Sequence, residues 1–201
     1  MANPNHLEPS ELGTKEYWDN LYTRELSNNE ADPTDIGTVW FDDSDAEQKM
    51  LQFLRLLASD ADEQDSDDED DDPANFDLPD ITLSRETTSF LDLGTGNGSL
   101  LSSLATHNFS GPLHGIDYSP QSVALARKIA EAKGQPITFT TWDLLAGPME
   151  DAFGDQKDGY DVLLDKGTFD AISLSAATNE SGQRIMAGYR PRATGTTRLV
   201  C

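Results

Sequence analysis

The chain has 201 residues, 14 Lys plus Arg against 37 Asp plus Glu, a net charge of −23 and a single cysteine, Cys201. That length supports one domain with a full core, the charge repels phosphate backbones and argues against nucleic acid as a substrate, and one cysteine excludes a disulfide framework or Cys-rich metal site. His6, His107 and His114 lack ligand spacing, no apolar run reaches bilayer length, and no N-terminal segment reads as a signal peptide, so a metal-free, intracellular protein off the membrane is expected.

About ten residues of polar tail come first, and a helix is predicted from Thr14, with Tyr17, Trp18, Leu21 and Tyr22 on one face. Asp32-Pro33-Thr34-Asp35-Ile36-Gly37 reads as a loop leading to Val39-Trp40-Phe41. Ser44 and Glu47 have capping-box spacing ahead of Met50, Leu51, Leu54, Leu57 and Ala58, which predicts a second helix to about Ser59. Residues 60–72 then hold ten acids, without which the net charge of −23 would become −13. Such a tract is expected to be a solvated, disordered insertion suited to a basic partner.

From Thr88 to Leu93 an apolar strand runs into Gly94-Thr95-Gly96-Asn97-Gly98 and then the helical pattern of Ser99-Leu100-Leu101. A Gly loop between strand and helix turns sharply and lets a ligand approach backbone closely. The dinucleotide fingerprint is G-x-G-x-x-G, but here Ser99 occupies the third glycine position. Asp92 followed by G-x-G-x-G instead resembles motif I of the seven-strand S-adenosylmethionine (SAM) methyltransferases.

Pro112 to Asp117 reads as a second strand ending in a carboxylate about twenty residues beyond the Gly loop, suited to accept from ribose hydroxyls. Ser119-Pro120 starts a helix as N-cap and first helical residue, and Gly134 ends it. Ile137 to Asp143 alternates as a third strand, and Tyr160 to Asp165 is a fourth, opening into Lys166-Gly167-Thr168-Phe169-Asp170. A last helix is predicted over about 181–189, followed by a polar tail. The expected architecture is an α/β, Rossmann-like parallel sheet with helices on both faces. It comprises an N-terminal tail and helical lid (1–59), an acidic insertion (60–80) and a SAM-binding core (81–201). The fifth strand is expected to be missing, leaving the fourth as an apolar edge.

Between Ser10 and Tyr189 the sequence resembles the SAM-dependent lysine methyltransferases that modify translation elongation factor 1-alpha. The residues carrying the resemblance are Ser10 to Asp19, Val39-Trp40-Phe41, Leu91 to Gly98, and the D-K-G-T-x-D block Asp165 to Asp170. The resemblance implies S-adenosylmethionine as cofactor, the elongation factor as protein substrate, a monomer, and a cytoplasmic location extending to the nucleus. Carried onto this chain, it places the cofactor against Trp40, Asp92, Gly94, Thr95, Gly96, Asn97, Gly98, Asp117, Tyr118, Trp142, Asp143, Leu144 and Asp165. In such enzymes the acid at the third strand's end accepts from the adenine amino group, with a neighbouring side chain flanking the ring.

Methyl transfer from a sulfonium to an amine needs chiefly positioning and loss of the ammonium proton, whose ordinary pKa is about 10.4. The catalytic candidates are Asp165, Thr168 and Asp170: Asp165 comes first, to orient the amine or to accept from the SAM amino group, and Thr168 and Asp170 shape the loop or the lysine channel. Two alternatives stay open at this level: a non-catalytic SAM-binding or acidic interaction protein, and a small-molecule methyltransferase. A nucleobase or amide methyltransferase would carry an Asn/Asp-Pro-Pro-Tyr-like loop where Asp165-Lys166-Gly167-Thr168 stands.

Overall fold

Five short segments pair into one parallel sheet in the computed structural model, which describes residues 7–58, 81–147, 159–185 and 198–200. The strands are β1 (Phe90–Leu93), β2 (Leu113–Asp117), β3 (Thr138–Thr141), β4 (Val162–Leu164) and β5 (Arg198–Val200), in spatial order β3-β2-β1-β4-β5. The helices are α1 (Lys15–Ala31), α2 (Ala46–Leu57), α3 (Ser99–Thr106), α4 (Pro120–Ala132) and α5 (Thr168–Ser173), with 3-10 turns at Glu11–Gly13 and Asp42–Ser44.

β1, β2 and β4 are buried at every position, so they do not read as apolar residues alternating with exposed polar ones. Alternation survives in where the side chains go. Phe90, Val162 and Leu164 join the cluster built with Met50, Leu54 and Leu57 of α2 and Leu100, Leu101 and Leu104 of α3. Leu91, Leu93 and Leu163 face the other way, onto Ile116, Trp142 and Tyr160. A third cluster packs Leu21 and Tyr22 of α1 on Leu125 and Ile129 of α4. The chain crosses from β3 at one side to β4 beyond β1, so β1 and β4 form the switch point where ligands bind at strand C-terminal ends.

Most expected elements form, with three corrections. Arg198–Val200 supplies a fifth strand, parallel to β4 through the pairs Val162–Arg198, Leu163–Leu199 and Leu164–Val200, so β4 is an inner strand and not an edge. Three residues are too few to show a period, and so the strand is invisible in the pattern. No helix forms over 181–185, the described part of the expected 181–189 helix. There Asn179 and Gly182 (φ +73°) make a turn that closes a Thr178–Arg184 bridge.

The Ser44–Glu47 capping box does not form either. Asp45 is the α2 N-cap, with φ +54°, and no side chain caps the helix. Glu47 instead accepts from Ser99 Oγ (2.6 Å) and Ser103 Oγ (2.8 Å), because the first turn of α2 lies against α3. The acidic tract and residues 1–6 lie outside the described residues. No helix among the described residues is long and apolar enough to cross a membrane.

Candidate active site

The Gly loop is fixed from both sides before any ligand is considered. Asp92, at the third position of β1, accepts from Thr95 Oγ1 at 2.7 Å. Gly96 N donates to Asp117 Oδ2 at 3.1 Å, and Ser122 Oγ of α4 donates to the Gly96 carbonyl at 2.7 Å. Gly96 holds φ +58°, and a side chain there would run into the Tyr22 hydroxyl at 2.6 Å. The loop is thus clamped between the end of β2 and helix α1.

Both strand-end carboxylates are buried, Asp92 at 3% exposure and Asp117 at 6%. Burial pushes the Asp92 carboxyl up to about 7, against the opposing pull of the Thr95 hydroxyl and the Lys166 ammonium. Burial also raises Asp117, partly offset by backbone donors at Ser119 and Gly96. The neighbouring Tyr118 hydroxyl is pushed far up by burial and by the Asp117 carboxylate.

These groups open into a cavity of about 600 Å3, within the roughly 300–1,000 Å3 typical of small-molecule sites. Its floor is Asp92, Gly94 to Asn97 and Asp117-Tyr118; one wall is Trp142 to Leu145; the other is Lys166 to Thr168 and the α5 region to Ala177. Trp142 is buried, whereas Asp143 is exposed at the rim and accepts from Leu145 N at 2.9 Å.

The N-terminal segment closes the cavity from the opposite side with Leu12 to Lys15, Trp18, Tyr22, Thr38, Trp40 and Phe41. Trp18 Nε1 donates to the Leu12 carbonyl at 2.7 Å, and the Trp18 and Trp40 rings meet edge to face at 4.9 Å. Asn97 Nδ2 reaches from the Gly loop to the carbonyls of Ile36 (2.9 Å) and Thr38 (3.2 Å), while Glu25 accepts from Thr38 N. Gly13 lies so close to Leu174 and Ser175 that a Cβ would overlap their backbone. Ser10 N donates to the Leu174 carbonyl, and Arg184 bridges the carbonyls of Leu7 and Ser175. Phe41 keeps a left-handed backbone, φ +61°, a strain of about 1–3 kcal/mol for such a residue, and is 40% exposed at the mouth.

Of the residues expected at the site, Trp40, Asp92, Gly94, Thr95, Gly96, Asn97, Asp117, Tyr118, Trp142, Asp143, Leu144, Thr168 and Asp170 line this one cavity. Two do not. Gly98 is the α3 N-cap (φ +77°), where a side chain would strike Phe139 and Ala126, so it serves helix–sheet packing. Asp165 is 5% exposed and its Oδ1 accepts from the backbone N–H of Thr168 (2.8 Å) and Phe169 (3.2 Å). It caps α5 and thereby sets the loop that carries Lys166, Thr168 and Asp170. Asp170, expected among the catalytic residues beside Asp165 and Thr168, is the exposed carboxylate of this block on the cavity.

Lys15, Tyr22, Phe41 and Lys166 also line the cavity and stand outside the expected site residues, Lys166 having the look of a solvated or salt-bridged side chain. Their surroundings explain why: Tyr22 falls on the packing face of a helix, and Phe41 follows an aromatic already chosen. Lys15 forms an ordinary i,i+4 pair with Asp19. Among the described residues no group of three or more His, Cys, Asp or Glu could hold a metal ion.

A family profile described as a methyltransferase domain matches residues 84–188. The chain is 45% identical over 180 residues to protein-lysine N-methyltransferase EFM4 of Saccharomyces cerevisiae, covering 87% of this chain and 66% of that one. It is 36% identical over 198 residues to protein-lysine N-methyltransferase efm4 of Schizosaccharomyces pombe, covering 94% and 72%. It is 36% identical over 177 residues to EEF1A lysine methyltransferase 2 of Danio rerio, covering 88% and 61%. The chain therefore spans roughly two thirds of the length of these curated relatives.

Proposed function

The chain belongs to the methyltransferase-domain family, among the protein-lysine N-methyltransferases, and from that premise we propose that it methylates a lysine of translation elongation factor 1-alpha with S-adenosylmethionine. The observation that carries the reading is the single cavity on which Asp92, Asp117 and Asp143, from the ends of three neighbouring strands, converge with Asp170 and the Trp40–Phe41 pair. The relative named EEF1A lysine methyltransferase 2 supports the elongation factor as substrate, and the two named protein-lysine N-methyltransferase EFM4 support a protein lysine as the acceptor.

The residues present fit the cofactor. The φ-positive Gly loop gives close access to backbone, the paired acids offer acceptors for hydroxyl and amino groups, and the tryptophan wall offers a flat apolar surface. When bound, S-adenosylmethionine supplies a methyl group already activated by its sulfonium. This chain's residues then have three tasks. Asp117 accepts from the ribose hydroxyls, and Asp143 with Trp142 holds the adenine. Trp40 and Phe41 exclude water and border the lysine channel. Asp170, exposed on the cavity, orients the incoming ammonium, while partial desolvation of the lysine in the channel favours loss of its proton to solvent.

The acidic tract at 60–72 supports a basic protein partner: a local excess of negative charge speeds encounter with a positive surface. Its deletion should slow association at low salt and change little at high salt. A monomer acting in the cytoplasm completes the reading.

Calorimetric titration with S-adenosylmethionine, followed by mass spectrometry of purified elongation factor 1-alpha after incubation, tests the proposal. Binding that weakens in Asp143→Ala, with mass gains in 14-Da steps on one lysine, supports it. Cofactor binding without any mass gain on the elongation factor overturns the substrate assignment, and no binding by a folded chain overturns the enzyme reading.

A further inference from the structure

Lys166 belongs to the cavity wall, yet its ammonium is directed to the far side of the mouth. Its Nζ donates to the carbonyl of Trp40 at 3.1 Å and lies 3.4 Å from Glu47 Oε2, with side-chain exposures of only 13% and 17% for the pair. Trp40 and Glu47 flank the Asp42–Ser44 turn, so one ammonium grips both ends of the segment that carries the mouth aromatics. Glu47 is not a loose partner: the Ser99 and Ser103 hydroxyls fasten it to α3, which starts directly after the Gly loop. On the near side, Gly167 (φ +96°) has no side chain, and the Phe41 ring fills the place where a Cβ would sit.

We propose that Lys166 and Glu47 form a latch that holds Trp40 and Phe41 closed over the cavity, with Lys166 a positioning residue for the cofactor. The proposal rests on the methyltransferase reading for its purpose and on the hydrogen-bond geometry for its existence. A lysine suits the task because its ammonium is a point charge with several donors on a flexible stem: it donates to the Trp40 carbonyl while its charge pairs with the Glu47 carboxylate. Closure costs something, since Phe41 keeps its left-handed backbone only while its neighbours hold it. Cutting the tie should let residues 38–46 relax without disturbing the sheet, where β1 and β4 pair independently of either side chain.

Hydrogen–deuterium exchange on the full chain reads this directly, in Lys166→Met, Lys166→Arg and Glu47→Ala. Peptides across 38–46 should exchange roughly tenfold faster in the Met and Ala variants, while β1 and β4 peptides stay protected and Arg restores the rate. Unchanged exchange across 38–46 in both disrupted variants, or a rise spread evenly over the sheet in both, overturns the latch. In the methyl-transfer assay the same two variants should raise the cofactor KM by roughly tenfold and leave kcat less affected. A fall in kcat at constant KM would assign Lys166 to the reacting atoms and overturn the positioning role. A wild-type chain that binds no S-adenosylmethionine defeats the enzyme reading alone, because the exchange comparison stands without cofactor.

Discussion

The Thr168 hydroxyl donates to the carbonyl of Leu93 at 2.5 Å and occupies the space that a side chain at position 94 would need. Thr168 thus ties the start of α5 to the end of β1 across the switch point, and Gly94 (φ +63°) leaves room for the tie. Gly94→Ala should destabilise by about 2–4 kcal/mol, combining the cost of a left-handed alanine with overpacking. Urea unfolding measures it. The double variant with Thr168→Ala should recover the overpacking share and not the backbone share, so the two substitutions will be non-additive.

Asp92 makes the fold more stable at mildly acidic than at mildly alkaline pH. Its carboxyl titrates near 7 in the folded chain, raised by burial, against 3.8 when unfolded. Between those values the folded chain keeps a proton that the unfolded chain has released, so stability falls as pH rises from about 4 to about 7 and is then level. Three pH units correspond to about 4 kcal/mol. Asp92→Asn keeps an acceptor for Thr95 without the charge. It should match the parent near pH 4 and exceed it at pH 8 by an amount approaching that figure, as measured by denaturant midpoints. A constant difference across the range would show that Asp92 is not the group responsible.

The Rossmann-like core was legible because each of its signals is local: an apolar run, a Gly loop, an acid at a strand end. Asp92, Asp117 and Asp143 follow from that grammar alone, since a parallel sheet at its switch point must bring strand C-termini together. Other features depend on the partner a residue meets. Ser44 and Glu47 have capping-box spacing, but Glu47 serves α3 and Lys166, which only the packing of α2 decides. Asp165 sits at a strand end like Asp92, but the sharp turn into α5 aims its Oδ1 at two backbone N–H groups. The Leu199-Val200 segment carries too little pattern to mark a strand until β4 is there to pair with it.

Gly13 has no side chain for a reason of distance, not of dihedral angle. It rests on the backbone of Leu174 and Ser175, so Gly13→Ala must lift the 10–14 segment from the end of α5. The sheet and its helices do not depend on that contact, so the change in global stability should be small. The local effect should be large: faster amide exchange at 10–18 and a weaker hold on whatever the cavity binds, because Leu12, Thr14 and Lys15 are part of its wall. Retained protection across 10–18 would show that the segment adjusts around a methyl group.

Asp117 separates structural from ligand effects by the choice of replacement. Its two oxygens accept from Gly96 N and Ser119 N, both at buried sites. Asp117→Ala leaves both donors unpaired and should cost about 2–5 kcal/mol of stability along with cofactor affinity. Asp117→Asn keeps the shape and one acceptor, so its stability loss should be smaller, but its amide presents a donor where hydroxyls need an acceptor. Loss of a charge-assisted bond is worth about 1.5–3 kcal/mol, or roughly 10- to 150-fold in affinity. Parallel calorimetry and urea melts on the two variants check this. If Asn binds S-adenosylmethionine as tightly as Asp, the carboxylate serves only to hold the Gly loop, and the ribose contact must be made elsewhere in the cavity.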